Sequence, residues 1–219
     1  MALKRNMTVD EMVKFIDNEL LPQVELEIGY WIHPEKKQGG YFVVTRQILC
    51  MVDFLGAVYF GYPLKERKKD QEKNKERIAT TDKAKKFIAC FFEPKETYTD
   101  SAINNLYSIY RHGLVHLYQP RVLKYNSRKA LQWYFYKGKK RFYKTQSINT
   151  PLGKKVFDNV KYLQILKSSN KKCYFFPIGI DCLYEDFLEA IKSYRIKLNR
   201  TKYLQTNWRT TVNAICRPR

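Results

Sequence analysis

The longest apolar stretch of the chain constrains its fold more than any other feature. It runs from residue 41 to 62 and carries only two charged side chains, Arg46 and Asp53. Its β-branched residues are compatible with a strand, but its length favours a buried helix. Each of the two charges is expected to be ion-paired or exposed, and Pro63 predicts the end of the helix.

The segment before this stretch predicts an N-terminal helix followed by a loop. Thr8 and Glu11 have the spacing of a capping box, and apolar residues continue at helical spacing to Val24, with Pro22 marking a bend or an end. Residues 29–40 contain turn-forming residues and predict a loop, in which His33 is expected to have no special role.

A run of mixed charges follows the apolar stretch. Residues 64–86 have no apolar stripe, which predicts a solvated helix extension or a mobile loop.

Further helices are predicted after this run. Thr81 and Asp82 are expected to cap the next helix, and Pro94 is expected to end it. Asp181 is expected to cap a long helix with apolar residues at helical spacing to Tyr194. The basic tail from residue 198 has room for one more short helix.

The periodicity changes after Pro120. Residues 130–136, 162–166 and 173–178 predict short strands, with turns at 137–138 and 168–171, and the last two strands are candidates for a hairpin. The predicted fold is therefore mainly α, a single domain over 1–219. Its helical bundle comprises 1–120 and 181–219, with a small β-rich insertion at 121–180 before the last long helix.

Composition narrows the possible partners. Lys and Arg outnumber Asp and Glu 41 to 21, giving a formal net charge of +20. Such an excess predicts a polyanionic partner, although a generally lysine-rich composition without such a role is the alternative. The five widely spaced cysteines form no C-x-x-C motif, the N-terminus has no apolar signal core, and the run at 48–62, interrupted by Asp53, is short for a bilayer. We expect a cytoplasmic protein that does not associate with membranes.

Two of the three histidines lie in one segment, residues 107–118. If residues 100–118 form a single helix, two opposite faces result at about 100° per residue. The apolar face contains Ile103, Leu106, Tyr110, Leu114 and Leu117. The opposite face contains Asn105, Ser108, His112 and His116, with Arg111 at its flank. This polar face has no Lys or Glu, which favours a partly covered cleft or an interface over an open surface.

These residue types can cleave RNA without a metal or another cofactor. Imidazole exchanges protons near neutral pH, and arginine stays cationic and binds phosphate oxygens. One imidazole can take the proton of a 2′-hydroxyl, a second acid can protonate the leaving 5′-oxygen, and arginine can stabilise the charge at phosphorus. Two copies across a symmetric interface would complete the set.

The sequence Arg-His-Gly-Leu-Val-His from 111 to 116 resembles the R-x4-H motif of the HEPN (higher eukaryotes and prokaryotes nucleotide-binding) superfamily. The resemblance covers residues 98–120. It implies a helical bundle that forms a homodimer and acts as a metal-independent endoribonuclease in a toxin–antitoxin or antiviral defence system, with RNA as substrate and an antitoxin or defence protein as possible partner. Arg111 and His116 would be the catalytic pair. His112 would be the polar residue after the arginine, where the family often has Asn or Asp.

Other residues are candidates for substrate binding. Asn105, Ser108 and Tyr118 are neighbours of the motif by helical geometry alone. The basic residues Lys139, Lys140 and Arg141 follow Trp133, Tyr134 and Tyr136, a combination that can bind single-stranded RNA or can be a basic turn beside core aromatics.

Three alternatives to catalysis remain open at this point. His112 and His116 have the spacing of a metal clip, which would need a third ligand. They can also be structural residues packed on neighbouring helices. Finally, the chain can be a non-catalytic nucleic-acid- or nucleotide-binding module, or a basic structural or interaction protein.

Overall fold

The computed structural model describes residues 2–33, 35, 39–61, 80–125, 129–150, 153–167 and 173–216. The predictions for Pro63, for most of the charge run and for the turn at 168–171 lie outside these residues.

The N-terminal helix is longer than predicted. Helices α1 (Val9–Phe15) and α2 (Leu21–Ile32) are joined without a break by a π-helical segment, Ile16–Leu20. Thr8 forms the predicted capping box with Glu11. Pro22 does not end the helix; it is the second residue of α2, directly after the π-helical segment. The predicted loop therefore starts after Ile32 rather than at residue 29.

The long apolar stretch is helix α3 (Tyr41–Phe60), as its length predicts. It ends at Gly61, whose φ of 80° is readily adopted by glycine. With 20 residues, α3 is long and apolar enough to cross a membrane by these two criteria alone. The membrane prediction considered only the run at 48–62 and therefore underestimated the length of the apolar helix. Half of its most apolar window is buried inside the fold, against α4, α7 and α8.

The segment with the two histidines is not one regular helix. After α4 (Thr80–Phe91), Thr99 caps α5 (Asp100–Asn105). A π-helical segment, Leu106–Arg111, then leads into α6 (His112–His116). The prediction of a helix through residue 118 was wrong at its end. Leu117, assigned to the apolar face, is half-exposed because the helix has already ended there.

Six strands form two sheets. The first has the order β1 (Leu123–Tyr125), β2 (Lys129–Tyr136), β6 (Cys173–Gly179) and β5 (Leu166–Lys167), and its central pair β2–β6 is parallel. The second is a separate hairpin of β3 (Phe142–Thr150) and β4 (Gly153–Lys161).

The strand predictions are confirmed for the central pair and wrong in part elsewhere. Residues 162–166 are mostly a turn, with Leu163 at φ 55°. Of this predicted strand, only Leu166 is in β5, which pairs with β6 in the antiparallel sense expected of the predicted hairpin. The β3–β4 hairpin was not predicted.

The last two helices return to the helical part of the molecule. Helix α7 (Ile180–Arg200) binds the N-terminal helix through Arg195 and Asp17, and α8 (Lys202–Ile215) binds α3 through Asn207, whose amide donates to the Tyr59 carbonyl. Asp181 lies inside the first turn of α7 and accepts from the Gly138 N–H, so it is not the predicted cap. The fold is mainly α with a small sheet region, as predicted.

A buried tyrosine fixes the histidine-bearing segment on the central strands. The Tyr110 hydroxyl donates to the Phe176 carbonyl of β6 and accepts from the Tyr134 N–H of β2 at 3.2 Å. Its ring packs against Phe135, with the centroids 5.0 Å apart. The segment that carries Arg111 is thereby held between the sheet and α3.

Candidate active site

Arg111 is held by an aspartate from the apolar helix. Its Nε and Nη2 donate to Asp53 Oδ2 at 2.9 and 2.8 Å. The two side chains are 19% and 15% exposed, so the pair lies at the boundary between the core and the surface. Asp53 thereby occupies one edge of the guanidinium and leaves the Nη1 side directed elsewhere.

The buried end of this arrangement is Tyr107. Its hydroxyl donates to Asp53 Oδ1 at 3.3 Å. Burial, followed by the negative charge of Asp53, raises the pKa of Tyr107, so this phenol stays protonated and remains a donor. Tyr107 and Arg111 are four residues apart within the wide π-helical turn, and both reach the same carboxylate. Such π-helical turns occur frequently at functional sites.

The exposed end of the arrangement is His116. Arg111 Nη1 lies 3.1 Å from His116 Nε2. Because arginine has only donors, Nε2 is the acceptor in this contact. A continuous series of hydrogen bonds therefore runs from buried Tyr107 through Asp53 and Arg111 to an imidazole at the surface.

Gly113 allows the chain to fold back beside the site. A Cβ at this position would lie 2.5 Å from the Gln119 carbonyl oxygen and 2.6 Å from the Arg121 nitrogen, so a larger residue would force the backbone apart. The Arg121 N–H in turn donates to the Ile109 carbonyl at 2.8 Å. This close return explains the glycine within the motif.

His112 is half-buried and surrounded by positive charge. Burial, followed by the charges of Arg111, Arg121, His116 and Lys85, lowers the pKa of His112. It is therefore neutral near pH 7. Its ring is nearly parallel to that of His116, with an interplanar angle of 11° and centroids 6.4 Å apart.

Arg46, the second charge of α3, also lies beside the motif. Its guanidinium carbon is 5.4 Å from the ring centroid of Tyr118, a cation–π contact. Tyr118 is exposed and has a φ of 57°, which is rare for a residue with a bulky side chain. Strained backbone of this kind occurs frequently at functional sites.

The structure brings some predicted residues together and separates others. Arg111, His112 and His116 form one site with Tyr118 at its side, and Asn105 and Ser108 are half-buried one to two turns before Arg111. Sequence reasoning missed the role of Tyr107 and the pairing of Asp53 with Arg111. The signal for Asp53 was its position as one of two charges in an apolar helix.

The basic turn after β2 is occupied by other contacts. Lys139 pairs with Glu185 at 2.6 Å, Arg141 pairs with Asp186, and Lys140 is exposed. These acidic partners lie on α7, whereas the acidic partner of Arg111 lies on α3. Tyr134 and Tyr136 are core residues, so for these two aromatics the alternative of a basic turn beside core aromatics is confirmed.

The structure also shows the position of the third histidine and bears on the metal alternative. His33 is exposed, and its Nδ1 accepts from the Glu35 N–H at 3.4 Å. Within the described residues, no three or more His, Cys, Asp or Glu side chains are grouped so that they could hold a metal ion.

No family model, curated protein or solved structure matches this chain. The resemblance to the HEPN superfamily consequently rests on the motif from Arg111 to His116 and on its helical setting.

Proposed function

We propose that the protein is a metal-independent endoribonuclease of HEPN type, acting as a cytoplasmic homodimer in a toxin–antitoxin or antiviral defence system. The observation that carries the proposal is the contact between Arg111 and His116. An arginine fixed by a carboxylate on one edge presents its free edge to an exposed imidazole. The Arg111 side chain is 19% exposed, and His116 is exposed.

The geometry supports a defined order of events. A scissile phosphate that binds Arg111 Nη1 takes the place of His116 Nε2, whose lone pair is then free to accept the proton of the 2′-hydroxyl. The 2′-oxygen forms a bond to phosphorus, and the bond from phosphorus to the 5′-oxygen breaks. Arg111 stabilises the negative charge on the phosphorane. The products are a 2′,3′-cyclic phosphate and a 5′-hydroxyl, and general acid–base assistance contributes about 10²–10⁴-fold.

The leaving 5′-oxygen needs a proton from a second group. His112 is poorly suited to be the acid in the resting enzyme, because burial and the neighbouring cations keep it neutral. A symmetric dimer would instead present His116 of a second copy on the other side of the phosphate. We therefore assign His116 as the base in one subunit and as the acid in the other, with His112 as a residue that positions substrate.

A non-catalytic nucleic-acid-binding module is the second candidate. The formal charge of +20, together with Arg46, Arg121 and Lys85 around the motif, favours RNA binding whether or not the histidines transfer protons. The two candidates differ in one result, which is whether RNA is cut.

The decisive experiment compares three histidine and arginine variants on RNA. We expect His116→Ala and Arg111→Ala to lose at least 100-fold in cleavage rate, whereas His33→Ala, which removes an exposed histidine of the interhelical loop, cleaves as well as the wild type. Cleavage should persist in EDTA and leave 2′,3′-cyclic phosphate ends. Wild-type rates in the Arg111→Ala, His116→Ala double variant would rule out this site, and a strict requirement for Mg²⁺ would rule out the mechanism.

The dimeric part of the proposal has its own test. A dimer of one wild-type and one His116→Ala subunit should lose at least 100-fold in cleavage rate, because the shared phosphate then lacks either its base or its acid. Co-expression with different tags allows the mixed dimer to be isolated. A mixed dimer that retains half of the wild-type activity would show two independent sites and would contradict sharing of the site.

A further inference from the structure

A pair of exposed aromatic rings lies on the same surface as the Arg111 site. Phe42 of α3 and Trp133 of β2 are 36% and 38% exposed. Their centroids are 5.7 Å apart with an interplanar angle of 85°, and both rings rest on Phe135, which is buried. A solvent-facing indole supported from below is the arrangement on which a nucleobase can stack.

Helix α3 connects this aromatic pair with the site. Phe42, Arg46 and Asp53 are spaced by four and seven residues, so they follow one face of the helix. A rise of 1.5 Å per residue places Phe42 about 16 Å along the helix from Asp53. Arg46, with Tyr118 against it, lies between the two ends.

A second arginine lies between the aromatic pair and His112. The antiparallel pairing of β1 and β2 ends at Leu123 and Leu131, and Arg121 and Trp133 each lie two residues beyond this pair. The positive charge of Arg121 contributes to lowering the pKa of His112. Arg46 and Arg121 thus supply two guanidinium groups between the aromatic pair and the Arg111 site.

We propose that this surface binds single-stranded RNA, with an unpaired base stacked on Trp133 and Phe42 while Arg46 and Arg121 contact the phosphates between that base and the scissile position. This inference rests on the proposed function for the place of cleavage but not for binding. Single strands are favoured over duplex because only an unpaired base offers its face to the indole. An RNA ligand is favoured over a protein because the rings are flanked by arginines in a chain of charge +20.

The test measures affinity for a labelled single-stranded RNA twelve nucleotides long whose 2′-hydroxyls are methylated, so that it cannot be cut. Trp133→Ala should weaken binding roughly 5- to 10-fold, the lower part of the range for one stacked base. Tyr203→Ala, which removes a similarly exposed ring from α8, is the matched control and should change affinity less than twofold.

Two further variants separate stacking from bulk and protect the test against misfolding. Trp133→Phe should restore most of the affinity and Trp133→Leu should not, because leucine fills the same space without a π face. If leucine restores affinity for the RNA as well as phenylalanine does, no base stacks on this ring and the proposal is overturned. Affinity within twofold of wild type in Trp133→Ala would overturn it too.

The salt dependence of RNA binding tests whether Arg46 contacts a phosphate. Arg46→Gln should lower the slope of log affinity against log salt by about 0.7, the value for one phosphate on a single strand, and Trp133→Ala should leave the slope unchanged. An unchanged slope in Arg46→Gln would remove Arg46 from the proposed path.

The test of the stacking subsite can fail or succeed independently of the test of the proposed ribonuclease activity. A dinucleotide is too short to span the about 16 Å of α3 between Asp53 and Phe42, so its cleavage should be unaffected by Trp133→Ala. Cleavage with no loss of affinity in Trp133→Ala refutes this subsite alone, whereas loss of affinity without any cleavage by the wild type refutes the proposed function alone.

Discussion

Arg111 and Arg141 each bind an aspartate from a helix, but the two ion pairs differ in what surrounds them. Arg111 and Asp53 are joined on the outer side by exposed His116. Asp186 is instead only 5% exposed, and it accepts from Tyr98, whose hydroxyl lies 3.0 Å from that of Tyr162. We call these the open pair and the closed pair.

The difference shows that a guanidinium bound to a carboxylate does not by itself indicate a functional site. In the closed pair, burial raises the pKa of Asp186 despite the hydrogen bonds from Arg141 and Tyr98. The charge is therefore costly to keep, and its partners contribute to the stability of the fold. In the open pair, Asp53 occupies one edge of Arg111 and the free edge faces an exposed imidazole, which is what binding of a phosphate requires.

The largest effect is expected from breaking the closed pair. Arg141→Gln leaves the Asp186 carboxylate buried without its cation, which should reduce the free energy of unfolding by about 3 kcal/mol, the lower end for buried pairs because Arg141 itself is partly exposed. The cleavage rate per folded molecule should not change. Chemical denaturation and an activity assay at low temperature measure the two quantities.

A double variant tests the reason for this loss. Adding Asp186→Asn removes the buried charge, so the double variant should be more stable than Arg141→Gln alone. If the two losses simply add, the pair is not coupled. If Arg141→Gln is stable but inactive, Arg141 belongs to the site and the comparison with Arg111 fails.

How far the sequence predicts these two pairs depends on the distance between partners. The capping box at Thr8, the length of the apolar stretch in α3 and the helical spacing after Asp181 are local patterns, and they predict helices correctly. The partners of Arg111 and Arg141 lie 58 and 45 residues away, so no local pattern identifies them. The parallel pairing of β2 with β6 was missed for the same reason.

Two other features were missed although they involve residues close together in sequence. A π-helical segment and an α-helix have similar apolar spacing over six residues, so the sequence did not reveal the wide turn that directs Tyr107 and Arg111 to Asp53. In β2, by contrast, strand alternation was a usable signal. It places Trp133 and Tyr134 on opposite faces, and treating both as one RNA-binding group ignored it.

An intermediate effect is expected at the buried end of the open pair. Tyr107→Phe removes the hydroxyl that donates to Asp53 Oδ1 and should cost about 1 kcal/mol of stability. Because Asp53 then holds Arg111 less firmly, kcat should fall roughly 5-fold while KM changes little, since about 1 kcal/mol in the barrier corresponds to that factor. Equal kcat in Tyr107→Phe and wild type would mean that Asp53 orients Arg111 without help from Tyr107.

The smallest effect distinguishes the two pairs by their response to acid. The pKa of His112, beside the open pair, is lowered in the folded protein from its ordinary value of 6.5. The unfolded chain therefore binds more protons there, and the free energy of unfolding should decrease as the pH falls below about 6.5. The pKa of Asp186 is raised above 3.8, so its contribution has the opposite sign and is lost as the pH rises.

His112→Asn isolates the first contribution. Because it removes the titrating group, we expect a shallower loss of stability between neutral and mildly acidic pH than in the wild type, measured by denaturant unfolding at several pH values. His33→Asn, at an exposed loop position, is the control for replacing a histidine by asparagine. A slope in His112→Asn as steep as that of the wild type would mean that His112 is solvated as well in the folded protein as in the unfolded chain. The open pair would then lack the partly covered, positively charged environment on which phosphate binding at Arg111 depends.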